Sequence, residues 1–167
     1  DFETEVEGWQ VDRVRDQHVR LSLELQQAFG LRREEAIKFQ PSYADRGDQL
    51  LLKESWTKGG KARSVPVITS AQRELLARVH ALAGRGSLIP PARNYRQQLR
   101  IYERHCAEAG LSKMHGLRHA YAQQRYRDLT GWPSPAAGGP SAGQLSPQQK
   151  QQDHSARLTI SQELGHA

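Results

Sequence analysis

The chain has 167 residues, with 24 Lys+Arg against 18 Asp+Glu for a formal charge of +6 and a pI near 9.8. That length suits one domain with its own core, and the positive excess suits a polyanionic partner. A mean hydropathy of −0.77, no run near the ~20 apolar residues of a bilayer span, and an acidic start (Asp1-Phe2-Glu3) unlike a signal peptide exclude membrane-embedded and secreted classes. The single cysteine, Cys106, excludes an internal disulfide or a Cys-rich zinc site and fits a cytoplasmic setting.

Over residues 11–29, Val11, Val14, Leu21, Leu25 and Phe29 keep a three-or-four spacing, with His18 on the same stripe. The spacing predicts one amphipathic helix stopped by Gly30. A short helix is predicted over 33–39, ended by Pro41. Residues 49–54 and 64–68 read as strands, with Lys58-Gly59-Gly60-Lys61 as the hairpin tip. Pro66 places its strand at an edge, and residues 39–43 are expected to add a third strand. Ser70 is a cap for a helix through Ala83 that buries Leu75, Leu76, Val79 and Leu82. Pro90-Pro91 opens a further helix with Tyr95, Leu99, Tyr102, Cys106 and Ala109 on one face; Cys106 there is an inert core residue. A helix over 115–129 and a last one over about 155–164 complete the set. Between them, residues 133–152 hold four of the eight prolines, three glycines and a Gln-rich run, and read as an inserted, exposed loop. The fold class is α+β, mainly α: a helical domain with a small three-stranded antiparallel sheet.

Four local patterns stand out, and their order along the chain matters. Gly30-Leu31-Arg32 is followed by Glu35; a basic hairpin, Thr57-Lys58-Gly59-Gly60-Lys61-Ala62-Arg63, runs into Val65-Pro66; His115-Gly116-Leu117-Arg118 opens a helix; and Leu164-Gly165-His166 comes last. His115 and Arg118, three residues apart, share a helical face. The Gly-Gly pair is too short for a nucleotide-binding loop, and no Gly-Lys-Ser/Thr follows. His115 and His119 have a spacing that can bind zinc, but no carboxylate or cysteine cluster completes a site.

These motifs, in this order, resemble the catalytic domain of the tyrosine recombinases, the phage-integrase, Cre and Xer group. That family carries Gly-Leu-Arg-x-x-Glu, a hairpin lysine, His-x-x-Arg, Leu-Gly-His and then a nucleophilic tyrosine. The resemblance implies the DNA breaking-rejoining fold and site-specific recombination or integration through a 3′-phosphotyrosine, in a phage or mobile element. Arg32 and Arg118 would clamp the non-bridging phosphate oxygens, because planar paired donors that stay charged suit that role. Lys58, with Lys61 close enough to compete, would protonate the leaving 5′-oxygen. His115 would assist proton removal or bind a phosphate oxygen, His166 would donate to the phosphate, and Glu35 would orient the arginine and histidine side chains. The chemistry implies no metal, no nucleotide and no other cofactor. The implied partner is double-stranded DNA, with a homo-tetramer assembled on paired sites, in the cytoplasm at the nucleoid.

The sequence departs from the family in its tyrosines. Tyr43, Tyr95, Tyr102, Tyr121 and Tyr126 are the five present, and none follows Leu-Gly-His. Residues 1–167 are therefore read as one catalytic domain lacking the N-terminal core-binding domain and the tyrosine helix, expected to bind DNA without cleaving it. Lys61 and Arg63 on the hairpin are candidate DNA contacts. Arg93, Arg96, Arg100 and Arg104, spaced 3, 4 and 4, fit either a solvated stripe or a phosphate-backbone contact. Two alternatives stay open: relaxation like that of a type IB topoisomerase, and a non-catalytic DNA-binding module.

Overall fold

Helix α2 (Gln17–Phe29) is apolar on two sides, and that decides the packing. The structure, a computed structural model, describes residues 8–57 and 59–166. Leu21, Leu25 and Phe29 enter one core cluster with Leu50, Leu76 and Leu88. Val19 and Leu23 enter a second with Ile37, Tyr102 and Leu117. A helix buried on two faces has to be central. Gln26, itself buried, ties it to the second cluster by donating to the Tyr102 hydroxyl at 2.8 Å.

The predicted first helix is two. A short α1 (Gly8–Val11) ends in a turn, and Asp16 then starts α2 by accepting from the Val19 N–H at 3.0 Å. Val11 and Val14 are buried, but in the second cluster and apart from Leu21, Leu25 and Phe29, and His18 is only half-buried, so the predicted single stripe is divided between two faces. Helix α3 (Arg33–Lys38) follows as predicted.

The sheet has two strands rather than three. Strands β1 (Gln49–Leu52) and β2 (Arg63–Pro66) pair antiparallel, with Leu50 opposite Val65 and Leu52 opposite Arg63. The expected third strand is instead a short helix α4 (Pro41–Ala44). Pro41 has no N–H for a ladder but fits a first helical turn, and among the described residues one isolated bridge, Asp45 to Leu50, joins this stretch to the sheet. The connection between the strands carries a 3₁₀ turn (Glu54–Trp56) that buries Trp56. Its ring packs against Phe39 at 5.9 Å and edge-on to Tyr43 at 6.0 Å.

Helix α5 (Ser70–Ala83) has the predicted span, but Thr69, not Ser70, caps it, receiving the Gln72 N–H at 3.0 Å. Helix α6 (Tyr95–Glu108) starts after Pro90-Pro91, where Asn94 and Gln97 exchange capping bonds of 2.9 Å. Arg93 therefore lies before the helix. Cys106 is buried on α6, and burial pushes its thiol up to about 11, which keeps it unreactive. Helix α7 (Gly116–Thr130) matches its prediction closely.

The largest correction concerns residues 133–152. Two 3₁₀ turns (Pro135–Ala137 and Ala142–Gln144) occupy the first part. The Gln-rich run is then the start of α8 (Pro147–Glu163), not loop. Ser146 accepts the Gln149 N–H at 3.2 Å, and Gln149 returns a bond to the Ser146 N–H at 2.9 Å. Pro147 sits in the first turn, where its missing N–H is harmless. The Tyr126 hydroxyl of α7 donates to Asp153 of α8 at 2.5 Å, and Trp132 Nε1 reaches the same hydroxyl at 3.2 Å. No helix among the described residues is long and apolar enough to cross a membrane.

Because Leu25 is wholly buried where α2 meets the larger cluster, Leu25→Ala should lower stability by about 2–5 kcal/mol. A drop in the urea midpoint at an unchanged slope would register it.

Candidate active site

The four motifs converge where two helices end. Gly30, the C-cap of α2, has φ of +69°, and Leu31 behind it is fully buried, so the chain turns sharply and presents Arg32. The Arg32 N–H is received by the Glu35 carboxylate at 2.8 Å, which starts α3. Glu35 is almost fully buried, and its carboxylate also accepts both terminal nitrogens of Arg63, Nη2 to Oε1 at 2.9 Å and Nη1 to Oε2. Glu35 thus orients Arg63 and the backbone of Arg32 rather than the Arg32 guanidinium.

Arg63 is the main surprise. Expected to face DNA, it turns inward from β2, with its side chain only 7% exposed. The strand pattern carried the signal: Val65 is buried, and Arg63, two residues earlier, shares its face.

Arginines meet successive main-chain carbonyls at the end of α8. Arg63 Nε donates to the Glu163 carbonyl at 2.9 Å, Arg118 Nη2 to the Leu164 carbonyl, and Arg32 Nη2 to the Gly165 carbonyl at 3.0 Å. Arg118 Nε also donates to the Gly30 carbonyl at 2.7 Å, so one buried guanidinium bridges the C-termini of α2 and α8. Helix C-termini carry unpaired carbonyls and partial negative charge, and here they are matched by cations. Arg118 pays for its position in basicity: burial first, then Arg63 and Arg32, brings its pKa down to about 10. It remains charged at neutral pH.

A cleft of about 620 Å³ opens on this cluster, lined by Arg32, Arg33, Tyr95, His115 and Arg118, with Thr57 and Gly59 of the strand connection at its edge. His115 is exposed and lies edge-on to His119, ring centres 5.0 Å apart. His166 also keeps exposed surface. Partial burial of its imidazole, then the fields of Arg118, Arg32, Arg63 and His115, hold its pKa below 6.5. Lys58 lies outside the described residues, between Thr57 and Gly59. Lys61 is exposed; Arg96, Arg100 and Arg104 are exposed on α6; Arg93 is half-buried and donates to Gln98 at 3.0 Å. Arg33 and Tyr95 at the cleft wall were not singled out as site residues, because Tyr95 lies on the packing stripe of its helix and Arg33 reads as an ordinary first-turn residue. Among the described residues no His, Cys, Asp or Glu group could hold a metal ion.

A mainly helical domain with a small antiparallel sheet, with Arg32 and Arg118 lining one cleft, is the fold expected of a tyrosine-recombinase catalytic domain. The family described as Integrase matches residues 6–124, and the chain belongs to that family. Its fold is similar to the crystal structure of lambda integrase bound to DNA, with a TM-score of 0.55 at 16% sequence identity, over 90% of this chain and 60% of that one. No curated protein matches the chain.

Removing the carboxylate from the buried pair, Glu35→Ala, should cost about 3–5 kcal/mol in urea unfolding, since it strands Arg63 without its countercharge. For His166 the sign follows from its surroundings: positive neighbours disfavour the imidazolium, and a bound polyanion would favour it. Its NMR titration midpoint should lie below 6.5 in the free chain and move upward when an anion such as inorganic phosphate is added.

Proposed function

We propose that this chain is the catalytic domain of a site-specific DNA recombinase, and that its cleft seats one backbone phosphate between Arg32, His115 and Arg118. The observation that supports this best is the convergence itself. Residues 32, 115 and 118 line one cleft, and the two arginines are held by neighbouring carbonyls of a single turn.

In this reading, strand transfer proceeds without an energy cofactor because the phosphodiester energy is kept in a covalent protein–DNA link. A tyrosine oxygen attacks phosphorus, the P–O5′ bond breaks, and the free 5′-hydroxyl later reverses the step on a partner strand. Charge builds on the non-bridging oxygens, where Arg32 and Arg118 offer fixed donors; one such donor is typically worth about 3 kcal/mol. His115 accepts the tyrosine proton or holds an oxygen, His166 donates to the phosphate, and Lys58 delivers the proton to the leaving oxygen. Lys61, Arg96, Arg100 and Arg104 follow the DNA backbone. Strand exchange between two sites calls for a homo-tetramer on DNA.

The tyrosines bear on what these 167 residues do alone. Tyr102 is fully buried; the Tyr121 and Tyr126 hydroxyls donate to Glu163 and Asp153; Tyr43 packs beneath Lys53 at 4.3 Å. Tyr95 lines the cleft, but burial and then Glu34 raise its pKa, the wrong direction for a nucleophile. In our reading none of these five tyrosines is the attacking one, and the 167 residues bind DNA without cutting it.

The chain should bind duplex oligonucleotides with an affinity that falls steeply with salt, and Arg32→Ala or Arg118→Ala should weaken it, as read by fluorescence anisotropy. On a nicked suicide duplex, a denaturing gel should show no covalent adduct. An adduct mapped to Tyr95 would overturn the assignment of the nucleophile, and salt-insensitive binding would overturn the phosphate reading.

A further inference from the structure

The carbonyls that hold the arginines belong to the last turn of α8, and that turn has an anchor of its own outside the cleft. Glu163 is buried, at 6% exposure. Its carboxylate accepts the Tyr121 hydroxyl at 2.6 Å, Arg125 Nε at 2.9 Å and Arg125 Nη2 at 2.9 Å. Both donors come from α7, the helix that also carries Arg118. The Glu163 main-chain carbonyl meanwhile receives Arg63.

A carboxylate is poorly placed here on general grounds. It sits at the negative end of a helix dipole, next to the core residues Ile160 and Leu164, where an apolar side chain would pack without any desolvation cost. The donors of Tyr121 and Arg125 satisfy it, and the result is a rigid charged tie between α7 and the end of α8. Helix ends otherwise fray. Fraying here would move three acceptors at once, those of Glu163, Leu164 and Gly165, and each holds a different guanidinium.

We propose that Glu163, held by Tyr121 and Arg125, is a positioning residue for the phosphate cleft: it fixes the last turn of α8 so that Arg63, Arg118 and Arg32 stay in register. The proposal rests on the reading of the cleft as a phosphate site. Glu163 touches no DNA in it and acts only through the carbonyls.

The test uses the 167-residue chain with two readouts. In the first, the Nε–H signal of Arg63, which donates to the Glu163 carbonyl at the end of α8, is followed by NMR and should exchange slowly. Glu163→Gln keeps the shape and removes the charge, and should speed that exchange by roughly tenfold or more while amide protection in α2 and α5 stays unchanged. In the second, duplex binding is measured for Glu163→Gln, Arg118→Ala and the double variant. Glu163→Gln should weaken binding by roughly tenfold, and adding it to Arg118→Ala should cost clearly less than tenfold, because part of its effect runs through Arg118. Unchanged Nε–H exchange, or additive losses in the double variant, would overturn the proposal. If Arg118→Ala itself leaves DNA affinity unchanged, the phosphate reading fails instead, and the NMR readout still decides the role of Glu163. Should Glu163→Gln fail to fold, Tyr121→Phe removes one of the donors and is read in the same two ways.

Discussion

Like charges crowd the centre of this domain, and its architecture answers that repulsion. Arg32, Arg63 and Arg118 lie close enough for the first two to depress the basicity of the third. The neutralising groups are a buried carboxylate, Glu35, and the carbonyl ends of α2 and α8. Partial charges from backbone dipoles are fixed by the fold and need no reorganisation when a ligand arrives. The cluster therefore keeps a net positive field toward the cleft while each guanidinium is held by a bond of its own. Burial and then the fields of these arginines lower the pKa of His166.

Two glycines show how tightly the arrangement is drawn. A Cβ on Gly30 would stand 2.7 Å from the Tyr121 ring and 2.8 Å from Leu164, at a φ of +69° that L side chains rarely adopt. A Cβ on Gly165 would stand 2.9 Å from Arg63, at a φ of +79°. The glycines of Gly-Leu-Arg and Leu-Gly-His are thus the points where helix ends approach the α7 ring and the inner arginine. Their place in the motifs follows from sterics before any chemistry is invoked.

Arg63 and Arg118 divide two kinds of work that look alike in composition. Arg63 is enclosed by Glu35 and the end of α8, and serves to join β2 to α3 and α8. Arg118, although buried, still lines the cleft. The exposed arginines of α6 form a third class, set apart on the surface, where charge acts at longer range and is screened by salt.

The amino-acid sequence by itself determined the helices with a clear period and a Gly or Pro at their ends, the two strands, and the residues 32, 115 and 118 that line the cleft. Those signals are local: spacing, caps and breakers act within a few residues. It also contained signals that composition hid, such as the Ser146-Pro147-x-Gln149 cap inside a Gln-rich stretch and the inward register of Arg63 beside Val65. What only the tertiary structure decided was where long-range partners meet. Nothing near Glu163 in sequence announces Tyr121 and Arg125, and nothing near Arg32, Arg63 or Arg118 announces the consecutive carbonyls that hold them. Such contacts join residues dozens to more than a hundred positions apart, and only packing of α2, α7 and α8 around one core brings them into reach.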